Sequence, residues 1–426
     1  MSSTKRNPTP QSAEVTQHDP FAALRFRDYR LFTLGRVLIS VGSQMQTVAI
    51  GWELYERTNS AMVLGGVGLA QVLPMIALTL IAGDVADRRN RKLTMLLSIM
   101  LLTLCSLALA VLSYTKGAVF LIYACLVLIG VARAFSKPAS DAFMWQLIPV
   151  SAFTNAATWN SSSFQLASVI GPALGGFGIA LLGNATGVYV LAAIAGLLCF
   201  ILTIAIKEKP VVRSKEPISL QALVAGAKFV WNNQLILAAI TLDMFAVLLG
   251  GAVALLPIFA KDILQVGPVE LGYLQAAPSI GAFIMAVTLA YLPPLRKAGP
   301  ALLWSVVGFG IVTIIFGLSR WFWLSLLMLT LSGALDSISV VIRHTLVQIR
   351  TPDNLRGRVA AINSVFISAS NELGGFESGL AAALFGPVIS VVGGGIGTIV
   401  VVIATAMIWP GIRKLGVLQE YEQTSK

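Results

Sequence analysis

Apolar residues run along this chain in long blocks, broken by short polar turns. Twelve blocks are centred near residues 41, 71, 103, 127, 167, 197, 246, 280, 310, 333, 370 and 401. Each supplies the ~20 residues that a helix needs to cross the hydrocarbon of a bilayer, where every backbone polar group must be satisfied within the segment. The pattern therefore predicts twelve spanning helices, an even number that puts both chain ends on one side. A second pattern is laid over the first. At a constant offset of 203 residues, without a gap, Gly130, Pro149, Asn160, Gly171, Gly176 and Gly183 fall on Gly333, Pro352, Asn363, Gly374, Gly379 and Gly386. Both stretches read as apolar helix, short basic loop, then a second apolar helix rich in Gly and Ser. Two copies of one unit in the same orientation imply two pseudo-symmetric six-helix bundles with the working site between them.

The expected organisation is an all-α integral membrane protein: a disordered polar tail over 1–22, a first bundle over 23–206, a linker over 207–232, a second bundle over 233–412 and a tail over 413–426. The first tail has no apolar run after Lys5 and Arg6 and does not read as a cleavable signal. In the linker, Leu220, Leu223, Val224, Ala227 and Trp231 recur at helical spacing with Lys228 on another face. That spacing fits a short helix lying in the membrane interface, or an extension of the seventh span.

Composition agrees with the pattern: 56% hydrophobic residues, 12% charged residues and a mean hydropathy of +0.82. The net charge of +11 would by itself admit nucleic acid as a partner, but its distribution does not. Arg57, Lys116, Lys261 and Arg320 fall on the side away from the termini and Arg36 lies within the first span; the other Lys and Arg gather on the side of the termini. The positive-inside rule makes that side cytoplasmic, facing anionic lipid, in the plasma membrane (the inner membrane of a bacterium). Most of the Trp residues lie near span ends, as interfacial anchors do. Cys105, Cys125 and Cys199 sit within apolar spans as small core residues.

Polar side chains inside spans are costly, which makes them the candidates for function. Arg36, Ser40, Ser43, Gln44 and Thr47 form a stripe on the first span, and Asn160 and Gln165 lie in the fifth. Asn363, Ser364, Ser368 and Glu372 lie on the eleventh span, where Gly375 and Gly379 continue the face. Asp243, Asp336, Glu372 and Glu377 are the acids of the second half. At the rise of an α-helix, Asp243 lies about 15 Å into the seventh span and Asp336 about 20 Å into the tenth, both near the midplane. A desolvated carboxylate can take a proton from one side and release it to the other. Asp243 is the first candidate for that role, against a structural ion pair; Glu372 is the second and Asp336 the third.

The most specific local motif is Gly83, Asp84, Val85, Ala86, Asp87, Arg88, Arg89, Asn90, Arg91, Lys92, expected as a loop between the second and third spans. It resembles the signature loop of the major facilitator superfamily, G-x-x-x-D-R-x-G-R-[RK], with Asn90 in place of the second Gly. Asn tolerates a left-handed backbone, so the turn is expected to survive. The resemblance implies the major facilitator fold, with Gly83, Asp87, Arg88, Arg91 and Lys92 as a cytoplasmic latch. In that family the acid, here Asp87, accepts bonds from an arginine and from the start of the eleventh helix when the transporter faces outward. In the fifth span Gly171, Pro172, Gly175 and Gly176 match the core of the G-x-x-x-G-P-x-x-G-G motif of antiporter members, with Ala167 for the leading Gly; a generic small-residue packing face is the alternative.

From 21 to 411 the chain further resembles the branch of the enterobactin exporter and the macrolide efflux pumps, the transmembrane secretion effector family. Phe26, Arg27, Asp28, Tyr29, Arg30, Gly42, Met45, Gln46, Trp52, Tyr55, Gln71, Pro74, Arg356, Gly357 and Arg358 carry that likeness. Arg133 and Asp336 occupy equivalent positions in the two repeats, on helices that in this family face each other across the cavity, and form a candidate gate against a pairing of Asp336 with Arg343.

His18 in the tail and His344, expected at a loop, offer no haem pair or zinc set, and no nucleotide-binding loop is present. The sequence reads as no enzyme and needs no cofactor. It reads as a secondary transporter that exports an amphipathic small molecule, a siderophore or hydrophobic antibiotic, by alternating access and proton antiport. A facilitator or uptake permease of the same fold, or a membrane sensor, is the alternative. The expected partners are substrate, protons and the lipid bilayer, not nucleic acid, and the expected state is a monomer.

Overall fold

The computed structural model describes residues 19–207, 220–293, 296–352 and 355–416. Much of both expected tails and of the charged linker lies outside them. Regular structure among the described residues is helical. The first half contains α1 (Arg27–Thr58), α2 (Ala61–Arg88), α3 (Arg91–Tyr114), α4 (Val119–Met144), α5 (Phe153–Leu182) and α6 (Thr186–Ile204). A short α7 (Leu220–Asn232) precedes the second half: α8 (Gln234–Leu249), α9 (Pro268–Tyr291), α10 (Ala298–Leu318), α11 (Phe322–Arg350), α12 (Arg356–Phe385) and α13 (Pro387–Ile408).

Ten of these segments are long and apolar enough to cross a membrane. The other two long helices, α1 and α12, are those whose apolar run is interrupted by Ser43, Gln44, Gln46 and Thr47 and by Ser368, Ser370, Asn371 and Glu372. With them the twelve spans of the sequence pattern are present.

The repeat is visible in the packing. Within the first half α1 packs on α5 and α6, α2 on α4, and α3 on α4 and α6; in the second half α8, α9 and α10 repeat those pairings with α12, α13 and α11. Repeated glycines make equivalent contacts. A methyl group at Gly171 would meet Gln44 and Val41 of α1, and one at Gly374 would meet Val247 and Leu248 of α8, so Gln44 and Val247 are related by the same offset. Gly183 (φ 73°) and Gly386 (φ 92°) both hold positive φ at the ends of α5 and α12, a backbone conformation in which any other residue would be strained although the space around them is open.

The halves meet through α2 against α12 and α5 against α9. Their closest approaches cluster toward the end of the bundle away from Arg27, here called the far end. A methyl at Gly65 would lie 2.9 Å from the Gly379 Cα, and one at Gly176 would lie 2.2 Å from the Pro268 carbonyl oxygen. Tyr55 also donates across the halves to Asp262, and Lys261 lies over the Tyr55 ring at 5.6 Å. Beside this seam the buried Glu53 accepts from the Tyr189 hydroxyl at 2.7 Å and pairs with Arg57. Arg57 in turn donates to the carbonyls of Leu112, Ser113 and Gly117, which anchors the end of α1.

Several local expectations are corrected. The signature motif is mostly helix: Gly83 to Arg88 form the last turns of α2, leaving Arg89 and Asn90 as the connection. Asn90 is not left-handed (φ −66°); its side chain accepts from the Leu93 amide at 3.1 Å and caps α3, which Gly could not do. The linker helix is not an extension of the seventh span, because Asn233 leaves helical geometry and caps α8 afresh. α7 packs instead on the start of α12, where Gly226 lies against Ile362 and Arg358. His344 lies within α11 rather than at a loop. α8 itself breaks at Gly250 and Gly251 and continues through short turns to Ile263, the last of them a π-helical turn over Phe259–Ile263.

Candidate functional site

Between the halves lies a cavity of about 520 Å³, within the size range of small-molecule sites. The first half lines it with Gln44, Thr47, Gln71 and Arg133, among others. The second half contributes the unwound stretch around Gly250 and Gly251, the apolar side chains of Phe309, Val312, Phe316, Met328 and Leu329, and the polar Asn371, Glu372 and Asp336. Both walls therefore carry polar groups, while the aromatic lining comes from the second half.

Close helix contacts position the charges. Gly130 lets α4 sit against α2 at the Gln71 carbonyl, where a methyl would come within 2.3 Å. One turn later Arg133 donates to the Gln71 side-chain oxygen and to the Ser43 hydroxyl, each at 2.7 Å, and lies within electrostatic reach of Glu372. Glu372 occupies space left by the missing side chain of Gly68. In the second repeat Gly333 brings α11 against the Pro278 carbonyl, and three residues on Asp336 faces the cavity. Arg133 and Asp336 thus share one cavity from equivalent positions. No hydrogen bond or ion pair joins them, and Asp336 has no such partner among the described residues.

The other predicted residues separate into groups. Gln44 donates to Ser168 at 3.3 Å and Thr47 bonds back to the Ser43 carbonyl; both line the cavity. Arg36 does not line it, because its guanidinium bonds Ser140 at 2.9 Å and Asp141 at 3.2 Å on α4. Ser40, Asn160, Gln165, Asn363 and Ser368 are likewise outside the lining. Asp243 forms an ion pair with Arg343 of α11, both side chains buried and away from the cavity. Gly171 and Gly175 seat α5 on α1, and Gly176 seats it on α9, with Pro172 buried in the same helix.

In the signature motif, Arg88 pairs with Asp84 at 2.6 Å. Arg91 donates to the Ala142 carbonyl, and Lys92 donates to the carbonyls of Ile204 at 3.0 Å and Ile206 at 2.6 Å. These cations cap the ends of α4 and α6 within their own half. The Asp87 side chain lies outside the described residues. Sequence reasoning missed Asn371 and the break at Gly250 and Gly251 as parts of the site, although a Gly pair inside an apolar block is a signal for such a break.

The family model for transmembrane secretion effectors matches residues 18–415. The chain is 25% identical over 357 residues to the multidrug efflux pump Tap of Mycolicibacterium fortuitum, covering 81% of this chain and 86% of that protein. It is 25% identical over 392 residues to the enterobactin exporter EntS of Shigella flexneri, covering 91% and 92%. Among solved structures, the nucleoside transporter NupG superposes with a TM-score of 0.72 at 12% identity, covering 90% of this chain and 99% of that one. A D-xylose–proton symporter gives a TM-score of 0.71 at 14% identity, covering 92% and 100%. A bacterial Spinster homologue in an inward-facing, occupied conformation gives 0.69 at 14%, covering 91% and 97%. A likeness at such low identity speaks for the fold, and the family model speaks for the branch. This chain is a multi-pass membrane transporter of the major facilitator superfamily, belonging to its transmembrane secretion effector family.

Proposed function

We propose that this chain exports an amphipathic small molecule across the plasma membrane by alternating access, exchanging it for protons. The observation that carries the reading is a cavity between two pseudo-symmetric halves whose close contacts gather at one end. The charge asymmetry of the sequence makes that sealed end extracytoplasmic and the end bearing Arg27 cytoplasmic, so the conformation is inward-facing, ready to load cargo from the cell. Export rather than uptake is favoured by the efflux pump and the exporter among its relatives and by the antiporter-type packing of α5.

Proton coupling falls to the acids that face the cavity. Asp243 is held by Arg343, whereas Glu372 and Asp336 line the space where cargo and proton would meet. Arg133, bonded to Ser43 and Gln71, stands opposite Glu372 as the charge against which that acid would titrate. The protein is expected to act as a monomer, with both termini cytoplasmic.

The test is transport in proteoliposomes carrying the purified full chain, with a panel of hydrophobic antibiotics and siderophores, with and without an imposed proton gradient. Cargo moving against its own gradient, with counterflow of protons, supports antiport. Movement that merely equilibrates in both conditions identifies a facilitator and overturns the proton-coupled reading.

A further inference from the structure

Resting on the transport reading above, we propose that the central cavity selects an organic cation with an apolar body, and that Asp336 is its counter-charge.

Three ionisable side chains line the cavity, Arg133, Glu372 and Asp336, giving one positive and two negative charges. The positive one is committed. Its two terminal nitrogens donate to Gln71 and Ser43, and Glu372 faces it. An anionic cargo would have to compete with these bonds for Arg133 and would meet Asp336 besides. Asp336 has no hydrogen bond or ion pair to lose among the described residues. A part-buried carboxylate that faces the cavity in this way is free to pair with a ligand cation.

The surroundings of Asp336 define the rest of the ligand. On α11, Met328, Leu329 and Ser332 line the cavity together with Asp336, at spacings of one helical face. Phe309 and Phe316 of α10 line it from alongside, and Phe316 is stacked on Phe259 at 4.7 Å, which fixes its ring. Aromatic faces and a thioether beside a lone carboxylate suit a bulky cation whose charge is spread over or shielded by apolar groups. Gln44 and Thr47, from the other half, are able to hydrogen-bond neutral oxygens. A polyanionic chelator is the ligand this arrangement disfavours.

The experiment is equilibrium binding to the purified full-length protein in nanodiscs, which needs no transport. The probes are radiolabelled tetraphenylphosphonium, a lipophilic cation, and triphenylmethanol, a neutral molecule of similar body. Tetraphenylphosphonium is expected to bind the tighter. Asp336→Asn should weaken the cation by about tenfold or more, in line with loss of a charged partner, and leave the neutral probe unchanged. Asp336→Glu should retain most of the cation affinity, which separates loss of charge from loss of fold. Equal affinity for the two probes, or cation binding indifferent to Asp336→Asn, overturns the proposal. Cation binding without transport in proteoliposomes would instead sink the export reading and leave this one standing.

Discussion

At Asp243 the carboxylate faces the Arg343 guanidinium with both side chains buried, so removing either charge leaves the other alone in a region of low polarity. Breaking a buried pair in that way costs about 3–5 kcal/mol, whereas replacing both partners with apolar side chains of similar volume is often neutral. Asp243→Asn should therefore lower the thermal unfolding midpoint of the purified protein markedly. Asp243→Leu combined with Arg343→Met should recover most of the loss and retain transport. A double variant that is stable but cannot couple cargo to protons would return Asp243 to the proton pathway. The depth of Asp243 within its span was legible from spacing alone, but its partner was not, because α8 and α11 meet only in the folded bundle. The pairing of Asp336 with Arg343, weighed as the alternative to the gate, is not formed for a related reason: two charges on one helix can be read from sequence, whereas competition from Asp243 on a neighbouring helix cannot. Asn90 makes the opposite point, since its capping role follows from its side chain once the helix start is known.

For α2 and α12, the determining contact is between backbones. A methyl at Gly379 would lie 2.5 Å from the Gly65 Cα and 2.8 Å from its nitrogen. These atoms cannot yield without moving the helices apart, and overpacking of this kind costs about 1–3 kcal/mol. That cost falls on the conformation in which the far end is sealed, not on each half by itself. Gly379→Val should fold normally, shift the population toward a far-end-open form by about tenfold, and slow transport. Spin labels placed on the far ends of α2 and α12 would report the change as a longer distance; an unaltered distance distribution would show that the glycines serve only packing within one state. The repeat related Gly379 to Gly176, but the sequence pattern put Gly379 on the cavity face of the eleventh span; only the fold shows that both are seams between halves. The break in α8 was harder to read, since hydropathy averages over Gly250 and Gly251 and the pseudo-equivalent α1 runs unbroken.

Across the whole molecule, the hydrogen bond from Tyr55 to Asp262 ties one half to the other, with Lys261 over the Tyr55 ring. It joins the far end of α1 to the π-helical turn that ends the broken seventh span, the pseudo-symmetric counterpart of α1. A rocking motion that opens the far end has to part these groups and hydrate both, while the first half keeps its Glu53–Tyr189 bond and the second keeps the bond from the Ser390 hydroxyl to the Ser378 carbonyl. Hydrogen bonds to charged groups contribute about 1.5–3 kcal/mol, so Tyr55→Phe should favour the far-end-open conformation by roughly tenfold or more. Alkylation of a cysteine introduced on the far-end wall of the cavity should then speed up, while alkylation of one introduced toward the near end should slow. The same variant should lower the apparent affinity for cargo offered from the near side, because fewer molecules present the site there. If both cysteines react faster, the bond is holding the bundle together rather than holding one face shut, and the closing contact must then be sought in the glycine seams alone.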